Sequence, residues 1–280
     1  MIELAVIIKG FIVGAFMLVP GVSGGTMCMI FGIFDRLITA VSEFFKQPKQ
    51  SMVFLAQFVL GAGASFLALS GLVTTLNKSF HLEVAFFVIG AIIAGIPVIY
   101  REAQIKKMNV KVIVYGLLGV LLVYLLAQIP KNVFTVTEFN LSGVIIQIIA
   151  GILGALGLVL PGISFSAMLY MMGVYNFIYG SIGDRNFLVL IPFGIGMVLG
   201  VLLLTRVLEI CMKKYPTPTY MIILGFVVGS IGDIIKELEH RPVGIQWLIC
   251  LVTFVFGFMC IHLMERFQNI NGGEVYDSGK

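Results

Sequence analysis

Apolar residues fill long stretches of the chain, and most polar positions fall between them. Ten apolar segments stand out, at about 4–19, 27–45, 53–76, 84–100, 110–127, 141–160, 163–182, 187–210, 219–235 and 245–264. A helix needs about 20 apolar residues to cross a bilayer, and several segments reach that length. The first, about 16 residues long, carries Lys9 and ends at Pro20-Gly21. The pattern predicts an all-α integral membrane protein.

Two connectors differ from ordinary loops. The first is Pro20-Gly21-Val22-Ser23-Gly24-Gly25-Thr26 and the second is Pro161-Gly162-Ile163-Ser164, and neither carries a charge. Irregular backbone at membrane depth is tolerated only when it is buried in protein or lines a cavity. The breaks therefore predict two re-entrant helical hairpins, about 4–45 and 141–182, alongside about six transmembrane helices.

The breaks also anchor an internal repeat. PGVSGGTMCMIFGIFDR at 20–36 aligns with PGISFSAMLYMMGVYNF at 161–177, sharing Pro20/Pro161, Gly21/Gly162, Ser23/Ser164, Met27/Met168 and Gly32/Gly173. The offset of 141 then shortens to 135, where Phe58 meets Phe193, Gly61 meets Gly196, Lys78 meets Lys213 and Gly90 meets Gly225. The halves are 1–127 and 141–264, followed by a polar tail, 268–280, expected to be disordered. Each half holds an odd number of crossings, so the second copy is upside down, an arrangement typical of transporters.

Composition agrees. The chain is 59% hydrophobic and 11% charged, with a mean hydropathy of +1.07, whereas a soluble domain carries about 25% charge. Basic residues in the loops on the N-terminal side are Lys46, Lys49, Arg101, Lys106, Lys107, Lys111, Arg206, Lys213, Lys214, Arg266 and Lys280. The other side holds Lys78, Lys131, Arg185, Lys236 and Arg241. The excess predicts that both termini are cytoplasmic. No basic stripe suggests nucleic acid. The start, Met-Ile-Glu-Leu-Ala, lacks the basic region of a removable signal peptide.

Candidate chemistry lies at the breaks. A helix that starts there presents free N–H groups, which attract anions. Gly24 and Gly25 allow close approach, and Ser23, Thr26, Ser164 and Ser166 add hydroxyls. Pro20, Gly21, Pro161 and Gly162 shape the tips, while Ser and Pro-Gly in such places also serve as plain caps and breakers. Charges within apolar segments mark pathways or snorkel to the interface. Lys9 and Arg36 fall at similar depth in the first hairpin, able to meet a phosphate or hold Asp35, and Arg206 lies near a cytoplasmic helix end. His81, His240 and His262 are scattered, as are the aspartates. That excludes a histidine phosphatase centre and a carboxylate-held magnesium, and no metal or cofactor is implied. Cys28, Cys211, Cys250 and Cys260 have no metal or redox spacing and read as small buried hydrophobes. No nucleotide-binding loop is present, so ATP is not the energy source.

PGVSGGT followed by MIFGIFDRLI, with PGIS opening the second copy and LGFVVGSI late in the chain, resembles the polyprenyl-phosphate transporter family PopT over about residues 5–265. The resemblance implies a non-enzymatic flippase in the bacterial cytoplasmic membrane. It would return undecaprenyl phosphate from the outer to the inner leaflet for envelope synthesis, with its phosphate head at the paired tips. The partners implied are the polyprenyl-phosphate lipid and the bilayer, and a homo-oligomer is compatible with the reading. The family's second motif usually reads PGISGS, and Phe165 departs from it. That predicts weaker approach of phosphate to the second tip. The alternatives are an ion-coupled carrier of a small soluble anion, a membrane enzyme acting on lipid phosphates, and an assembly factor that moves nothing.

Overall fold

The structure is a computed structural model that describes residues 3–19, 21–105, 107–129, 141–236, 238 and 240–272. Pro20, at the first break, lies outside the described residues. Helices follow in the order α1 (Leu4–Met17), α2 (Gly24–Ile30), α3 (Phe34–Ser42), α4 (Pro48–Ser79), α5 (His81–Glu102) and α6 (Val110–Ala127). The second half runs α7 (Leu141–Val159), α8 (Phe165–Met172), α9 (Tyr175–Gly183), a 3-10 turn (Phe187–Leu190), α10 (Ile191–Lys214), α11 (Pro216–Lys236) and α12 (Gln246–Gly272). No strand occurs among the described residues. Among the described residues, seven helices are long and apolar enough to cross a membrane, or up to eight if α2 and α3 form one bent span. The chain is therefore a multi-pass, all-helical membrane protein.

Two expectations need correction. The apolar segments 27–45 and 163–182 are not continuous arms. The axes of α2 and α3 bend by 118°, and α8 ends at Met172 before α9 begins at Tyr175. The cause is a second glycine break in each half: Gly32 has φ +60° and Gly173 has φ +69°, a left-handed conformation that disfavours side chains. At about 1.5 Å per residue, α2 rises only about 10 Å, far short of a bilayer. The second correction concerns the tail. Helix α12 continues through Gly272, into the stretch expected to be disordered, because its helical turns run past the apolar limit near 264. Residues 273–280 lie outside the described residues.

Glycines set the helix packing, and they do so in matched pairs. A Cβ on Gly61 would lie 2.1 Å from the Ile7 carbonyl oxygen, and one on Gly196 would lie 2.1 Å from that of Ile148. Likewise Gly10 abuts Phe58 and Gly151 abuts Phe193, with the corresponding separations 2.4 Å and 2.3 Å. Helix α1 thus seats on α4 as α7 seats on α10, with contacts at the offsets of 141 and 135. The later helices pair across the halves. Gly90 of α5 meets Phe254 of α12, and Gly225 of α11 meets Gly116 of α6, at 2.1 Å and 2.2 Å. Close backbone approach of this kind is how helices associate where lipid is as apolar as leucine.

One prediction follows from these contacts. Gly61→Ala forces α1 away from α4, and overpacking of this kind costs about 1–3 kcal/mol. Its thermal midpoint in detergent should fall, whereas Gly63→Ala, with nothing within 4 Å of the new Cβ, should leave it unchanged.

Candidate functional site

The two Pro-Gly breaks, 141 residues apart in the alignment, touch. The Gly162 N–H donates to Thr26 Oγ1 at 2.8 Å. A Cβ on Gly25 would lie 3.2 Å from Pro161 Cα. Gly21 has φ +78° and Gly162 has φ +81°, so both tips turn through the left-handed region that glycine enters without steric cost.

A cavity of about 340 Å³ opens beside the second tip. Its polar wall is Ser164, Ser166, Ser230, Asp233 and Lys236, with the backbone of Gly21 and Gly162 between them. Its remaining wall is mostly apolar and includes Val123 and Leu126 of α6 and Met168 and Met171 of α8. Ser164 Oγ and Ser166 Oγ are 3.0 Å apart. Lys236 Nζ lies 3.7 Å from Asp233 Oδ1, a loose pair, and 5.9 Å above the Tyr124 ring. Among the described residues, Lys236 and the two hydroxyls at the helix start can grip one small anionic group; the Ser230 hydroxyl donates to the Val227 carbonyl at 2.8 Å and would have to turn from it to join them. The apolar wall can lie along an attached hydrocarbon chain.

The other predicted residues are placed differently. Ser23 and Thr26 are buried, Gly24 is covered by the Met17 sulfur, and Gly25 packs on Pro161. None of these four lines the open cavity. Arg36 lies on α3, where both guanidinium amines bond the Glu3 carboxylate at 2.6 Å and the group stacks 4.5 Å above Phe54. Lys9 is half-buried and within electrostatic reach of Arg36. Asp35 is held not by Arg36 but by the Tyr220 hydroxyl, which donates to it at 2.5 Å. With Glu102, Glu209, Lys213 and Tyr220 it lines a separate cavity of about 250 Å³. In that region Glu209 accepts from Ser42 and from Lys213. Arg206 lies on α10, exposed, and lines neither cavity.

Phe165 does not obstruct the second tip. Its ring packs toward Gly154 and joins the apolar cluster around Leu169 and Val174, away from the cavity lining. The side chain that replaces the family's glycine therefore fills core. Among the described residues no group of three His, Cys, Asp or Glu side chains is placed to hold a metal.

The Glu3–Arg36 pair has a defined pH response. Its hydrogen bond to Arg36 holds the Glu3 carboxyl below the ordinary glutamate range. A depressed carboxyl stabilises the fold above its unfolded-state pKa, and that contribution fades as pH falls through the folded value. Both side chains are about half exposed, so the effect is at most about 1 kcal/mol. The gap in thermal midpoint between wild type and Glu3→Gln should be small at pH 7 and close by about pH 3.

Residues 13–242 match the VCA0040-like family, described as undecaprenyl phosphate translocase-like. The chain belongs to this family. It is 29% identical over 264 residues to the polyprenyl-phosphate transporter of Staphylococcus aureus (strain NCTC 8325 / PS 47), covering 90% of this chain and 93% of that one. It is 25% identical over 247 residues to the polyprenyl-phosphate transporter of Vibrio cholerae serotype O1 (strain ATCC 39315 / El Tor Inaba N16961), covering 82% of this chain and 77% of its relative. No solved structure matches the chain. The matched stretch contains both breaks and Ser230, Asp233 and Lys236, and leaves out most of α1 and all of α12. Sequence reasoning missed those three because Lys236 was counted only as a loop charge. Ser230, Asp233 and Lys236 follow at intervals of three along α11, so each neighbours the next within an arc of about 120°, a signal present in the sequence.

Proposed function

We propose that this chain moves undecaprenyl phosphate from the outer to the inner leaflet of a bacterial cytoplasmic membrane. The phosphate head occupies the cavity between the second tip and the end of α11. The observation that carries this reading is the composition of that cavity: Lys236, Ser164, Ser166 and Ser230 on one side, apolar α6 and hairpin side chains on the other. A soluble anion needs no apolar wall. A lipid phosphate needs its charge sheltered, because a bare charge in hydrocarbon is costly, while its tail is at home in lipid.

The two halves act as an inverted repeat with the hairpins entering from opposite faces and both termini cytoplasmic. The loop-charge bias, the short α2 and the matched helix contacts support this arrangement. Lys236 then faces the outer leaflet, where the used carrier lipid is released. Direction is supplied by an ion gradient, since no nucleotide-binding motif occurs in the sequence.

The test is leaflet-resolved movement of fluorescent undecaprenyl phosphate in proteoliposomes. A rate above protein-free vesicles supports the reading, and equal rates reject it. Competition by inorganic phosphate or dicarboxylates, with transport of those ions, would favour a soluble-anion carrier. Release of inorganic phosphate from the lipid would favour an enzyme.

A further inference from the structure

The residues lining the open cavity belong mostly to the second half, and each has a counterpart in the first. At the offset of 141, Gly162 corresponds to Gly21, Ser164 to Ser23, Met168 to Met27 and Met171 to Ile30. Continuing the offset of 135 to the helix ends, Ser230 corresponds to Gly95 and Lys236 to Arg101. Arg101 lies in the last turn of α5 as Lys236 lies in the last turn of α11. Helix α12 flanks α5 as α6 flanks α11.

Among the described residues, Ser23, Met27, Ile30, Gly95 and Arg101 line neither of the two cavities described above. Met171 borders open space facing Ser230, but Ile30 is buried and fills the corresponding space. A Cβ on Gly95 would lie 2.3 Å from Ile30 Cγ1 and 3.1 Å from its Cβ. Ser23 carries the second, independent sign. Its side chain is buried at 6% exposure, and its hydroxyl has no hydrogen-bond partner, whereas its counterpart Ser164 is bonded to Ser166. A buried hydroxyl without a partner is costly unless another state or a ligand satisfies it.

The two sets sit at opposite ends of the helices. Thr217, at the start of α11, donates to the Ala103 carbonyl just beyond α5 at 2.8 Å. Arg101 therefore lies by the N-terminal end of α11, and Lys236 ends that helix about 30 Å away.

We propose a second phosphate-headgroup site, on the face opposite the open cavity, in which Ser23 and Arg101 receive the lipid phosphate. In this structure Ile30 packed on Gly95 holds it closed. Opening requires Ile30 to leave Gly95, so that the two border open space as Met171 and Ser230 do on the other face. The chemical class recognised is a phosphate monoester on a long alkyl or polyprenyl chain. This inference rests on the headgroup reading above and names the residues that complete the passage.

The test is a reversible lock. In a background with Cys28, Cys211, Cys250 and Cys260 replaced, Ile30→Cys and Gly95→Cys are introduced together. Disulfides need Cβ atoms about 3.5–4.5 Å apart, so a small relaxation joins the pair. Oxidised protein should move fluorescent polyprenyl phosphate at least tenfold more slowly than the same protein after reduction, and should still bind dodecyl phosphate in detergent. In a separate variant, Arg101→Gln should slow transport at least fivefold without weakening dodecyl phosphate binding at the open cavity. Transport by the oxidised double variant at its reduced rate, or by Arg101→Gln at the wild-type rate, overturns the proposal. If the double variant does not fold, the Arg101→Gln rate decides. A wild-type protein that moves no lipid rejects the functional reading itself, whereas active wild type with an ineffective lock rejects only the second site.

Discussion

Lys236→Glu is expected to reduce binding of lipid phosphate by at least tenfold, and transport with it. Among the described residues Lys236 is the one cation lining the open cavity, and its pairing with Asp233 is loose at 3.7 Å. An incoming phosphate offers a shorter, charge-assisted bond, for which removal of one partner costs about 1.5–3 kcal/mol, or roughly ten- to hundredfold in affinity. Lys236 is more than half exposed, so the lower end applies to Lys236→Ala. Glutamate at this position adds repulsion between the carboxylates and the phosphate, and pushes the loss higher. Asp233 tests the same charge logic with the opposite sign. It opposes an anion in the cavity, so Asp233→Asn should tighten dodecyl phosphate binding by a few fold. Calorimetry in detergent with dodecyl phosphate measures all three. Equal affinity for wild type and Lys236→Glu would remove the cavity from the argument.

Much of the fold was legible because its signals are local. The uncharged Pro-Gly breaks, the length of each apolar run and the offset between halves all lie along the chain, and the two tips do meet through Thr26 and Gly162. Gly32 and Gly173 were also visible, as matched positions, but their role as second breaks was not. A single glycine in an apolar run is common in membrane helices, and only its positive φ distinguishes a bend.

Residues whose role depends on a distant partner were not legible. Arg36 reads as a phosphate ligand until Glu3 is found across it. Asp35 reads as the partner of Arg36 until Tyr220 is found beside it. The two tips are near copies in sequence, so nothing local indicates which one opens onto a cavity. That difference comes from packing: Gly95 admits Ile30 at one site, while Ser230 faces open space at the other. The richer first motif, with its paired glycines, lies on the closed side. Of its paired glycines, Gly25 serves contact between the tips by packing on Pro161, while Gly24 lies against Met17 of α1.

Gly162→Ala should therefore be the most damaging single-methyl change in the protein. Three demands meet at this residue. Its φ of +81° is one that side chains rarely adopt, at a cost of about 1–2 kcal/mol for a residue with a Cβ. The added Cβ would lie 2.3 Å from the Phe226 carbonyl oxygen and 2.8 Å from the Val227 nitrogen, both backbone atoms of α11 that no side-chain rotation can clear. Its N–H also makes the hydrogen bond to Thr26 that joins the tips, and any shift that relieves the clash strains that bond. Separating the second tip from α11 would also pull Ser164 and Ser166 away from Ser230 and Lys236. The expected result is a sharp loss of folded protein, and at least tenfold slower transport in whatever fraction folds. Thr26→Val separates the contributions: it removes the hydrogen-bond acceptor while keeping a side chain of the same shape, so it should lower the thermal midpoint modestly and leave dodecyl phosphate binding at the open cavity nearly unchanged. Wild-type yield and transport from Gly162→Ala would mean that the second tip is not pressed against α11, and the cavity built between them would lose its support.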